Sequence, residues 1–205
     1  MKILVTDPIA EEAMELLKEK HEVVFKDITG SDLIKEIPPY HALMVRSGTK
    51  VTREVIENAE NLIVIGRAGI GVDNIDLKAA TEKKIKVVNS PTGATVSVAE
   101  LTIGHMISLA RHLPKADRTM KNGEWAKKKL KGIELYKKTL GLVGCGNIGR
   151  MVAKYAKAFD MDVIGYDPFI SKEDMEKDGI KKVDELEKLM EKADFISLHL
   201  PHTPQ

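Results

Sequence analysis

The chain has 205 residues, 43% of them hydrophobic, with 32 basic and 31 acidic side chains. That length and apolar content can bury a core in one large or two modest domains, while the near-balance of charge gives no electrostatic reason to bind nucleic acid or an anionic membrane. No run approaches the roughly 18 apolar residues of a membrane span, Met1-Lys2-Ile3-Leu4-Val5 leads straight into a strand pattern rather than a signal peptide, and the single cysteine suits a reducing, cytoplasmic setting.

In chain order, residues 2–5 read as a strand, 9–20 as a helix, 22–25 as a strand and 32–37 as a short helix capped by Ser31. Residues 42–45, 62–65 and 86–88 are further strands, separated by helices over 53–59 and 75–83. Five strands alternating with helices predict a parallel sheet covered on both faces. Pro38-Pro39 and Pro91-Thr92-Gly93 read as breakers between elements. A long, mostly apolar helix follows over 97–121, which Pro114 should kink or split. Lys127-Lys128-Lys129 and Lys137-Lys138 read as solvated loop. A second alternating unit begins at Thr139, with strands over 140–143, 163–166, 182–183 and 195–198 and a helix over 184–192.

The densest signal is the run Leu140-Gly141-Leu142-Val143-Gly144-Cys145-Gly146-Asn147-Ile148-Gly149, followed by apolar residues at helical spacing. Gly144 permits a tight turn, Gly146 lets a pyrophosphate approach the backbone, and Gly149 lets helix and strand pack closely. The helix N-terminus then offers unpaired N–H groups to the anion. A second strand ends in Asp167, 18 residues after Gly149. An acid there accepts hydrogen bonds from the adenine ribose and repels a 2′-phosphate, so the expected cofactor is NAD; Pro168, not an arginine, follows. The competing reading is a glycine-rich turn followed by an acidic strand cap. Cys145 sits in a variable slot of the turn, as filler or as a catalytic thiol.

The motifs Val45-Arg46-Ser47-Gly48-Thr49, Gly66-Arg67-Ala68-Gly69-Ile70-Gly71-Val72-Asp73-Asn74-Ile75-Asp76 and Ser97-Val98-Ala99-Glu100-Leu101-Thr102, the glycine turn with Asp167-Pro168, and His199-Leu200-Pro201-His202-Thr203-Pro204 share an order. It is the order found in D-isomer-specific 2-hydroxyacid dehydrogenases, which the chain resembles over essentially its whole length. The resemblance implies an α/β protein with a flavodoxin-like parallel-sheet substrate domain over 1–97, completed by a later C-terminal segment. An incomplete Rossmann nucleotide-binding domain then covers 98–205. It implies Arg46, Ser47, Gly48 and Gly69 as substrate contacts, with Gly69 and Ile70 offering backbone N–H groups to the substrate carboxylate. It implies Ile70, Gly144, Gly146, Asn147, Ile148, Gly149, Asp167, Pro168, His199, Leu200, Pro201 and Thr203 as the lining of the NAD site, with no metal. For Arg46 a structural ion pair at a strand end remains the alternative, and for Gly69 an ordinary glycine-rich strand end.

The family's catalytic Arg, Glu and His are expected beyond residue 205, so the 205 residues alone are expected to be inactive. Many members carry Asn where this chain has Ala94, which leaves a substrate contact to Thr92, Thr95 or backbone. The activity implied is NAD-dependent oxidation of a small anionic D-2-hydroxy acid to its 2-keto acid, foremost 3-phosphoglycerate to 3-phosphohydroxypyruvate in serine biosynthesis, by a homodimer or higher homo-oligomer. The alternatives are a glyoxylate or hydroxypyruvate reductase and a non-catalytic NAD-binding regulator on the same fold.

Overall fold

The computed structural model describes residues 1–200, and the chain divides into two compact units, Met1–Ala94 and Thr95–Gln205. In the first, β1 (Lys2–Val5), β2 (Glu22–Phe25), β3 (Ala42–Val45), β4 (Val64–Arg67) and β5 (Lys86–Asn89) alternate with α1 (Glu11–Lys18), α2 (Gly30–Glu36), α3 (Arg53–Asn58) and α4 (Leu77–Glu82). All pairings are parallel and the order is β2-β1-β3-β4-β5, the flavodoxin-like arrangement. Because successive strand residues point to opposite faces, Leu4, Leu43, Val45 and Ile65 pack with Leu33, Ile37, Val55 and Ile56, while Ile3, Val5 and Ala42 meet Ile9, Met14 and Leu17 on the other side. Burial on both faces is why these strands read as unbroken apolar runs.

Two local expectations are corrected. Ser31 is not a cap: the chain enters α2 through Gly30 at φ 56°, Thr29 is the capping residue, and Ser31 lies inside the first turn. Leu62 is buried in the core but precedes β4, which starts at Val64, because apolar character reports burial and not strand pairing.

The second unit contains α5 (Thr95–Arg111), α6 (Leu113–Lys121), β6 (Thr139–Val143), α7 (Asn147–Lys157), β7 (Asp162–Tyr166), α8 (Lys172–Lys177), β8 (Lys181–Lys182), α9 (Leu186–Lys192) and β9 (Phe195–Leu198). Its parallel sheet has the order β8-β7-β6-β9, that of the first four strands of a Rossmann domain. Leu140, Leu142 and Val163 are covered by Ala99, Ile103 and Met106 of α5 and by Val152, Ala153 and Ala156 of α7, and Val143, Ile164 and Leu189 fill the opposite face.

The long helix is split rather than kinked: His112 takes a left-handed φ of 54° and Pro114 lies in the first turn of α6, where its missing N–H costs nothing. The short helix α8 adds an element to the expected order; Ser171 Oγ caps it by accepting the Asp174 N–H at 3.1 Å. Lys127, Lys128 and Lys129 are solvent-exposed, and no helix among the described residues is long and apolar enough to cross a membrane.

Candidate functional site

In open parallel sheets, ligands bind beyond the carboxyl ends of the strands where the order reverses. In the second unit that point lies between β6 and β9. Gly144 turns the chain at φ 91° and donates its N–H to Tyr166 O at 3.0 Å. A Cβ at Gly144 would collide with the His199 carbonyl, and one at Gly149 with the Gly144 carbonyl, so strand, turn and helix meet at bare backbone. Gly146 differs. It precedes α7 in an extended conformation, and among the described residues no side chain caps the helix there and a Cβ would meet nothing within 4 Å. The N–H groups of Asn147, Ile148 and Gly149 make no hydrogen bond among the described residues. Open space above an uncapped helix N-terminus fits a pyrophosphate.

Asp167 is 9% exposed at the end of β7 and does more than the sequence suggested. Its Oδ2 accepts the Cys145 N–H at 2.9 Å and its Oδ1 accepts the Phe169 N–H at 2.9 Å. The Cys145 carbonyl in turn accepts from Arg150 Nε at 3.2 Å, and Arg150 pairs with Asp178 at 3.3 Å. The middle residue of the glycine turn is therefore held through both its N–H and its carbonyl. A carboxylate has about four lone-pair sites, so Asp167 retains capacity for a ribose hydroxyl.

The Cys145 thiol is fully buried, and burial, reinforced by the Asp167 charge, pushes its pKa from 9.0 to about 12 despite the opposing pull of Arg150 and Lys182. A nucleophilic cysteine needs a lowered pKa, so Cys145 is filler. Between 9.0 and about 12 the folded protein keeps a proton that the unfolded chain releases, so this thiol makes stability fall as pH rises through that window and leaves lower pH unaffected. Urea denaturation from near pH 8 to about pH 10.5 should show that decline in the parent and a flatter profile in Cys145→Ala. Equal profiles would contradict the assignment.

His199 follows β9 directly, donates its N–H to Val143 O at 2.8 Å, and has its ring Nε2 at 2.9 Å from Ser197 Oγ. Burial lowers its pKa, which favours the neutral ring, and its main chain backs Gly144. Asn147 and Pro168 are exposed, Ile148 is half-buried and Leu200 is half-exposed; Pro201 and Thr203 lie outside the described residues.

In the first unit the order reverses between β1 and β3, and Arg46, Ser47 and Gly48 lie exposed just past β3. Arg46 pairs with no carboxylate among the described residues; its Nη1 donates only to Pro8 O, at 3.1 Å. On the neighbouring strand end, the Gly69 N–H is already bonded to Arg67 O at 2.9 Å, and the amide beside it that has no partner among the described residues is that of Ile70. The Ile70 carbonyl accepts from Asn89 Nδ2 at 2.6 Å. Arg67, absent from the expected site, stands opposite Val45 in the sheet with its guanidinium where a Gly69 Cβ would lie, and its buried Nε has no hydrogen-bond partner among the described residues. The signal for it was the run of glycines after it, which leaves room for a folded-back cation. Thr92 is exposed, and Thr95 Oγ1 is buried without a partner. No cluster of three metal-ligating side chains occurs among the described residues.

The profile of the D-isomer specific 2-hydroxyacid dehydrogenase catalytic domain matches residues 3–198. The chain belongs to this family. It is 56% identical over 206 residues to a D-3-phosphoglycerate dehydrogenase of Methanocaldococcus jannaschii, covering 100% of this chain and 39% of that protein. It is 49% identical to a hydroxypyruvate reductase of Thermotoga maritima, covering 98% of this chain and 65% of the relative. Among solved structures, the NAD+-bound 3-phosphoglycerate dehydrogenase of Entamoeba histolytica is 37% identical with a TM-score of 0.81, over 100% of this chain and 64% of that one. The chain thus spans about 39% of the length of the Methanocaldococcus jannaschii relative.

Proposed function

We propose that this chain forms the NAD site and the anion-binding side of the substrate site of a D-2-hydroxyacid dehydrogenase acting on 3-phosphoglycerate and 3-phosphohydroxypyruvate. The observation that carries this reading is the glycine turn, with Gly144 and Gly149 filled by backbone and Gly146 open above the unpaired N–H groups of α7. Those amides and the helix dipole hold the pyrophosphate, and Asp167 accepts from the adenine ribose and disfavours a 2′-phosphate. Bound nicotinamide supplies hydride exchange with the 2-carbon of the substrate.

The chain's own residues hold the substrate's charge. Arg46, the Ser47 hydroxyl and the amides of Ser47, Gly48 and Ile70, which have no partner among the described residues, face an anion, with Arg67 as a second cation one strand over. A phosphorylated hydroxy acid has two anionic ends, which suits two such cations. The relative at 56% identity supports the same substrate, and the relative at 49% keeps hydroxypyruvate reduction as the second reading. We place the protein in the cytoplasm as a homodimer, with Leu109 and Trp125 at 71% and 79% exposure marking apolar surface for a second copy.

The test is NADH-dependent turnover of 3-phosphohydroxypyruvate, hydroxypyruvate and glyoxylate by the full-length protein. Arg46→Ala should raise the KM for 3-phosphohydroxypyruvate by roughly tenfold or more and leave the NADH KM nearly unchanged, since a charge-assisted hydrogen bond is worth about 1.5–3 kcal/mol. Preference for hydroxypyruvate would move the assignment to the second reading, and no turnover of any of the three would leave a regulator.

A further inference from the structure

The turn that carries Arg46 is held by two side chains that belong to none of the motif positions assigned to substrate. Asp7, just past β1 and 9% exposed, accepts the Arg46 N–H at 2.6 Å and the Thr49 N–H at 3.2 Å on the same oxygen, Oδ2. Its other oxygen occupies the space above Gly48 where a Cβ would go. Asn74 closes the opposite side: Nδ2 donates to Arg46 O at 2.7 Å and to Thr49 O at 2.7 Å. Thr49 Oγ1 donates to Thr6 Oγ1 at 2.9 Å and ties the turn to β1 from beneath. Both polar groups at each end of the turn are thus taken, and the amides between them, those of Ser47 and Gly48, make no hydrogen bond among the described residues.

Two costs in this arrangement need a reason. A carboxylate beside an anion site repels the ligand it serves. The Asn74 amide is oriented for donation with its Oδ1 buried and without a partner among the described residues, which a native fold tolerates rarely. Both are accounted for if the geometry of the turn is what binding requires. From this we infer that Asp7 and Asn74 are positioning residues that preorganise the 46–49 turn, aiming the Ser47 and Gly48 amides and the Arg46 side chain at one phosphate or carboxylate group of the substrate. The inference rests on the reading of Arg46 and Ser47 as substrate contacts.

The experiment uses the full-length protein with 3-phosphohydroxypyruvate and NADH and compares Asp7→Ala, Asp7→Asn, Asn74→Ala and Arg46→Ala. Loss of two charge-assisted hydrogen bonds should let Asp7→Ala raise the substrate KM by roughly tenfold or more, with kcat reduced less than about threefold and the NADH KM unmoved. Asn74→Ala should act in the same direction. Asp7→Asn keeps an oxygen for both amides and removes the repelling charge, so its KM should return to within about threefold of the parent. That rescue separates positioning from a general loss of fold, and it reads out even if Asp7→Ala does not fold.

If Arg46→Ala raises KM but neither Asp7→Ala nor Asn74→Ala does, the inference fails alone. It fails equally if Asp7→Asn shows no rescue, or if substrate KM, kcat and NADH KM deteriorate together. If Arg46→Ala leaves KM unchanged, the reading of the site fails and the inference with it.

Discussion

Gly146→Asp should abolish NADH binding and leave the melting temperature unchanged or slightly raised, whereas Gly144→Ala should damage the fold itself. Gly146 is exposed, has φ −71°, and a Cβ added there would meet nothing within 4 Å among the described residues, so a larger residue is accommodated without strain. Asp is also a better cap than Gly, by a few tenths of a kcal/mol. It would nevertheless put a negative charge where the pyrophosphate approaches the α7 amides, opposing the dipole that favours the anion. Gly144 has φ 91° and faces the His199 carbonyl, so Ala meets both a left-handed backbone and a backbone collision. The left-handed conformation alone costs roughly 1–2 kcal/mol, and the collision raises the expected loss to about 3 kcal/mol. Paired thermal melts and NADH fluorescence titrations decide the matter. Retained NADH affinity in Gly146→Asp would remove the pyrophosphate from this turn.

The second large effect is expected at Asp167, where stability and cofactor choice are coupled. Asp167→Ala strands the buried Cys145 N–H, a loss of about 1–3 kcal/mol, and also removes the ribose acceptor. Weaker NADH binding and a smaller penalty against NADPH should follow together. Asp167→Asn keeps an oxygen for the Cys145 N–H, so most of the stability should return while the charge that rejects a 2′-phosphate is gone. Stability is read by urea denaturation and preference by titration with both nucleotides. If Asp167→Ala destabilised the protein yet bound NADH as the parent does, Asp167 would be a structural clamp and nothing more.

Residue pattern alone dictated the alternation of strands and helices, because strands buried on both faces must be apolar throughout and helices must carry an apolar stripe. It determined the glycine turn as well, since a left-handed φ at Gly144 and the close approach at Gly149 are demands that few residues other than glycine meet. It marked Pro114 as a break because proline cannot donate in a helix interior. Contacts across the sheet were beyond its reach. Asp7 lies 39 residues from Arg46, Asn74 lies 28 residues beyond it, and Asp167 lies 22 residues from Cys145.

Nothing local says that Asp7 should accept two amides, or that Asp167 should grip the turn it was expected only to complement. Those choices depend on which strand ends become neighbours. The parallel orders β2-β1-β3-β4-β5 and β8-β7-β6-β9 decide that, by bringing distant loops to one edge of each sheet, where their polar backbone groups must find partners.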